Sequence, residues 1–201
     1  MQTRTLACAA LSVAAAASTA SAAIISFSQQ NVWDAYVAYQ ALSVVTEDFN
    51  SITDGSYGSG FSSSVGGVTW TATATGGLSV GSGMFSTDYP TSLSFSLAPG
   101  VQGVAGNFFG TDINFNPVPS LVQVKLVDGN SSILFANGPA DFIGFYSTGA
   151  AISGITISAA GSGSVFPTVD NLFFAVPVPA PGAAALIGLA AMVCRRRRDV
   201  A

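Results

Sequence analysis

The side chains able to do chemistry in this sequence are few, and their types narrow the options at once. The chain of 201 residues has no histidine, and its two cysteines, Cys8 and Cys194, stand near its two ends. Ser-His-Asp and Cys-His arrangements are therefore absent, and with them the commonest general base. The sequence holds no GxxxxGK[ST] run, and its glycine pairs follow strand-like runs without the helix that a phosphate cradle needs. Glu47 is the only glutamate, and no motif pairs it with a second acid for glycoside hydrolysis. The inventory reads as non-enzymatic, with no catalytic residue.

Two binding chemistries remain. Glu47, Asp48 and Asp170 carry the hard oxygens that calcium takes, about six to eight to a site. They lie near the beginning and the end of the body of the chain. Two readings stand: the three meet around a structural calcium ion, or Asp48 and Asp170 bond to turn amides at strand ends. Aromatic faces are the other resource, since Trp70, Tyr57, Tyr89 and Tyr146 are of the type that stacks on sugars. Trp70 alternates with Thr69 and Thr71 and reads as core. Tyr57 and Tyr89 sit in turn-like contexts and are the exposed ligand-binding candidates.

Elements able to position these residues come from the periodicity. Residues 24–27 read as a short strand. Residues 28–42 form the one expected helix, with Val32, Trp33, Tyr36, Val37 and Tyr39 at helical spacing and Ser28 or Asn31 as its cap. Beyond it the period is two, at residues 68–72, 78–80, 93–97, 122–126 and 155–158, which describes strands with one dry face and one wet face. Asp128, Gly129 and Asn130 lie between two apolar runs and predict a hairpin. Asp54-Gly55, Gly66-Gly67, Gly76-Gly77, Pro99-Gly100 and Asn137-Gly138-Pro139 punctuate the rest. The Ser/Gly stretch 51–67 reads as a mobile loop. Roughly ten short strands with a single helix predict an all-β antiparallel sandwich. Its core would be filled by Phe95, Phe108, Phe109, Phe135, Phe142, Phe145, Phe173 and Phe174.

Charge separates the body from its ends. Arg4 and the block Arg195, Arg196, Arg197 and Arg198 leave Lys125 as the one cation between them, against nine acids, for a formal charge of −8. Such a body repels phosphate, which argues against nucleic acid as a partner.

Residues 1–22 read as a secretory signal peptide: Arg4, an apolar run to Ala17, then Ala20-Ser21-Ala22 as the cleavage pattern, with the cut before Ala23. Residues 23–175 are the expected ectodomain and 176–201 a tail. In that tail Val178, Pro179, Ala180, Pro181 and Gly182 precede an apolar run that ends at Cys194 and is followed by the four arginines. As a helix, residues 182–194 would span roughly 20 Å at about 1.5 Å per residue, short of a hydrocarbon core of about 30 Å. Snorkelling arginines and local thinning of the bilayer cover part of the difference. The arginines stay on the cytoplasmic side, so the body lies outside.

This order of proline motif, short apolar helix and terminal arginine cluster resembles the PEP-CTERM sorting signal of bacteria over the 21 residues from Val178 to Arg198. The family's Pro-Glu-Pro is Pro179-Ala180-Pro181 here, so this is a variant without the glutamate. The resemblance implies transient residence in the inner membrane, processing by an exosortase-type membrane enzyme, and a final place at the cell surface or in the extracellular matrix. The body is similar to the jelly-roll ectodomains that such tails commonly carry, through residues 46–50, 106–109, 143–147, 155–157 and 169–173. First and last strands are commonly neighbours in jelly rolls, which is what would bring Glu47 and Asp48 to Asp170. These domains resemble carbohydrate-binding modules in fold, which implies extracellular polysaccharide as a partner of the alternative reading.

Overall fold

The computed structural model describes residues 23–178. The predicted signal peptide and almost all of the tail, from Pro179 onward, lie outside the described residues. Strand β1 (Ile24–Phe27) leads into helix α1 (Gln30–Tyr39) and then β2 (Leu42–Glu47), β3 (Gly55–Tyr57), β4 (Gly60–Val65), β5 (Val68–Ala74), β6 (Leu78–Gly81) and β7 (Met84–Thr87). There follow β8 (Leu93–Leu97), β9 (Gly103–Thr111), β10 (Pro117–Val118), β11 (Ser120–Leu126), β12 (Ser131–Ala136), β13 (Phe142–Ser147), β14 (Gly154–Ala160) and β15 (Phe166–Pro177). All pairings are antiparallel.

The strands form two sheets, as the alternation predicts for an all-β sandwich. The larger, of nine strands, runs β1-β13-β9-β15-β7-β6-β3, with β10 added on β9 and β2 on β15. The smaller, of six strands, runs β12-β11-β14-β8-β5-β4. On β5 and β11 alternate residues are buried, so Val68, Trp70, Ala72 and Ala74 face the core while Thr69 and Thr73 face water. Between the sheets Phe49, Trp70, Phe85 and Phe95 pack as an aromatic cluster with ring centroids 5.3–6.4 Å apart. Contacts of this tilted and edge-on kind add to the burial of apolar area that drives folding.

Strands β9 and β13 are buried along their whole length, and helix α1 covers part of their outer face. Trp33 and Val37 cover a second apolar cluster with Ala105, Phe142, Phe173 and Ala175, on the face of the large sheet that is turned away from the small one. The Trp33 indole donates to the Phe145 carbonyl at 3.1 Å. Glycines make its seat: a Cβ on Gly144 would lie 2.7 Å from Trp33 Cδ1. The helix is shorter than its apolar spacing predicts. It begins after Gln29 without a side-chain cap, so neither Ser28 nor Asn31 caps it. It ends where Ala41 turns to φ 55° and Leu42 enters β2. Val32 and Tyr39 are exposed.

Four further expectations need correction. The stretch 51–67 is not a loop: β3 pairs β6 and β4 pairs β5. Ladder hydrogen bonds hold these edge strands, and Phe61 and Val65 lean on the core between outward serines. Phe135 is 61% exposed rather than core, because its opposite number on β11, Leu121, also faces outward. Among the described residues fifteen strands replace the roughly ten expected. The folded body runs past residue 175, since Val176 and Pro177 still pair with Ser43 and Leu42.

Candidate functional site

Each of the three acids expected at a calcium ion has a different environment. Glu47 ends β2 with its side chain buried. Its Oε1 accepts the Phe49 N–H at 3.0 Å and its Oε2 accepts the Trp70 indole N–H at 3.0 Å. Since β2 belongs to the large sheet and β5, which carries Trp70, to the small one, the carboxylate ties the two sheets together. It also holds Phe49, a fully buried residue at φ 55°, a backbone conformation that costs of order 1–3 kcal/mol for a side chain of this kind.

Asp48 and Asp170 do approach one another. β2 and β15 are neighbours, with Glu47 opposite Leu172. The register of β15 against β9 shifts between Val169 and Leu172, and this bulge carries Asp170 and Asn171. Burial first, and then repulsion from Asp48, raises the Asp170 carboxyl above the ordinary aspartate range. Its Oδ2 accepts from Asn171 Nδ2 at 3.0 Å. Hydrogen bonds from Asn50 hold Asp48 below that range, one of them from the Asn50 N–H at 3.1 Å. Asp48 thus serves a turn amide, while Asp170 bonds to a side chain within its strand. Among the described residues no group of three or more acids, cysteines or histidines is placed to hold a metal ion.

The two tyrosines also part company. Tyr57 is half-buried on β3, its ring 4.8 Å from Phe61 and its hydroxyl donating to the Thr53 carbonyl at 2.6 Å. Tyr89 is 59% exposed. Trp70 is core, as its alternation predicts, and Tyr146 is buried beneath Tyr36, the two rings 5.0 Å apart.

Tyr89 adjoins, through Gly76, an open groove of about 840 Å³ on the surface. Ser59, Thr73, Thr75, Thr91, Ser92 and Ser94 line it, with Gly76 at the Tyr89 end. A Cβ on Gly76 would lie 2.6 Å from Tyr89 Cδ2, so the ring rests against the glycine. Thr73 and Ser94 are cross-strand partners on β5 and β8. Ser94 shares a hydroxyl hydrogen bond of 2.9 Å with Thr156, and Thr91 Oγ1 donates to the Thr75 carbonyl at 2.9 Å. The walls are neutral hydroxyls, donors and acceptors at once. The first of these residues were within reach of sequence reasoning, because threonine recurs at every second position from Thr69 to Thr75. Their junction with Ser92 and Ser94 depends on the β5–β8 register.

A second concavity, about 80 Å³, lies among Ile24, Leu126, Val127 and Ile152 and is too small for more than a few waters. Among the described residues no helix is long and apolar enough to cross a membrane. No protein family, curated protein or solved structure matches the chain.

Proposed function

We propose that this is an exported, non-enzymatic protein of the cell surface or extracellular matrix, delivered by its signal peptide and sorted by its C-terminal tail through an exosortase-type enzyme. The observation that carries this reading is the fit between the fold and the two sorting segments. Among the described residues the first strand opens at Ile24, one residue after the expected cut, and the last closes at Pro177, just before Val178 and the proline motif. Ala23 is engaged as well, donating its N–H to Thr148 Oγ1 at 3.1 Å. A folded unit that fills the interval between two sorting segments is what export and sorting of one domain require. Mass spectrometry of the protein recovered from its native cells tests it. The expected mature chain begins at Ala23 and ends near Pro181 or Gly182. An intact tail ending at Ala201 in the membrane fraction would reduce the tail to a plain anchor.

The groove favours a second reading, a carbohydrate-binding module of jelly-roll type. Neutral hydroxyl walls with one exposed aromatic at the end suit a neutral polysaccharide: hydroxyls exchange hydrogen bonds with the sugar while Tyr89 offers a stacking face. Affinity electrophoresis in gels containing neutral polysaccharides tests it, with retardation expected for the wild type and lost in Tyr89→Ala.

A further inference from the structure

We propose that the protein self-associates through β12, which pairs antiparallel with the β12 of a second copy about a twofold axis at Leu134. β12 is the outermost strand of the six-stranded sheet, and β11 is its single strand partner among the described residues. The free N–H and C=O groups of such a margin form a ready template for a further extended strand.

The side chains on this margin differ from the rest of the sheet's outer face. Toward β4 that face is a field of hydroxyls, with Ser62 against Thr71 and Ser94 against Thr156. At β12 it becomes apolar: Ile133 is 55% exposed, Phe135 61%, and Leu121, opposite Phe135 on β11, 51%. β12 contains neither a charge nor a proline, the usual devices that stop edge-to-edge pairing. Other margins differ in character. β3 has three residues and stands beside Asp88, bonded to Ser56 at 3.2 Å. β4 turns Ser62 and Ser64 outward.

A second copy is the occupant because this seam suits it in charge and in pattern. Residues 23–178 hold nine acids and one cation, so two bodies of charge −8 repel over most of their surfaces. β11 and β12 carry no acid, and the cation, Lys125, lies on β11 opposite Ser131. With Leu134 opposite Leu134, Ile133 of each copy faces Phe135 of the other, the β-branched and aromatic pairing that sheets favour. Both outer faces then merge into one, with an isologous apolar stripe at the centre.

Sedimentation equilibrium of the full chain in non-ionic detergent tests this, with Cys8→Ser and Cys194→Ser to silence the native thiols. The expected result is a dimer that becomes a monomer in Ile133→Lys/Phe135→Lys, which keeps the wild-type β-sheet circular dichroism because both side chains are exposed in the single chain. Val127→Lys, at an apolar position 72% exposed but outside β12, should remain a dimer. Leu134→Cys reads the register directly. Opposed Cα atoms about 4.5–5.5 Å apart lie within disulfide reach, so mild oxidation should trap a covalent dimer that Val127→Cys does not give. A wild type that is monomeric throughout overturns the proposal. So does a dimer untouched by the double lysine change, or a monomer that instead takes up a foreign strand along β12.

Discussion

Glu47 is the residue whose chemistry and role diverge most. As the only glutamate it invites an acid–base or metal role, yet each of its oxygens is committed to a structural N–H. Glu47→Gln keeps the shape but turns one acceptor into a donor, leaving an N–H of Phe49 or Trp70 unpartnered in the core. The expected loss is about 1–3 kcal/mol, read as a lower urea midpoint with a shifted Trp70 fluorescence; an unchanged midpoint would contradict the cross-sheet tie. Asp170 behaves in the opposite sense. Its folded carboxyl titrates above its unfolded value, so ionisation penalises the folded state, and that penalty vanishes as pH falls below the ordinary aspartate range. Asp170→Asn should therefore raise the melting temperature at neutral pH, with the gain disappearing in acid. A gain that is the same at every pH would argue against burial and the Asp48 charge as its origin.

At the scale of elements, the short helix depends on glycine beneath it. Gly144 on β13 leaves room for Trp33, and Gly103 on β9 leaves Trp33 Cζ2 at 3.3 Å from where a Cβ would stand. Gly144→Ala should push the indole off its seat and cost about 1–3 kcal/mol, the usual size of an overpacking penalty. Thermal unfolding, together with a red-shifted emission from Trp33, would report it. If both stay at wild-type values, α1 does not depend on this close contact. On the opposite face of the same sheet large side chains from both sheets interdigitate, and there Gly106 leaves room for the Phe108 ring.

For the whole molecule, cohesion comes from the core between the sheets and from α1 closing the outer face. Glu47 is turned inward, which leaves Asp48 and Asp170 without a third acid beside them among the described residues. Equal melting temperatures in calcium and in EGTA are expected; a rise in calcium would mean that two aspartates with backbone carbonyls suffice for an ion. The groove makes a separate demand. Gly76 holds φ 99° and supports the Tyr89 ring, so Gly76→Ala should displace the ring and weaken retardation by polysaccharide as Tyr89→Ala does. Retardation that survives both changes would remove Tyr89 from the site.

Local chemistry was enough to determine much of this protein. Alternation along β5, β8, β11 and β14, the Asp128-Gly129 turn and the burial of Trp70 all follow from short-range pattern, because a strand with one wet face must alternate. The neighbours of a strand are a different matter. Residues 131–136 alternate Ser-Ile-Phe with Ser-Leu-Ala, two faces of similar apolarity, and only pairing with β11 turns Leu134 inward beside Val122 and leaves Phe135 outside. Serine-rich β4 has little apolar signal of its own and becomes a strand through its ladder with β5. Glu47 gives no hint in its own neighbourhood that Trp70, 23 residues away, will take its second oxygen. Periodicity reports which residues share a face; the packing of one sheet on another decides which face is dry, which edge is open and which acid is spent on holding the core.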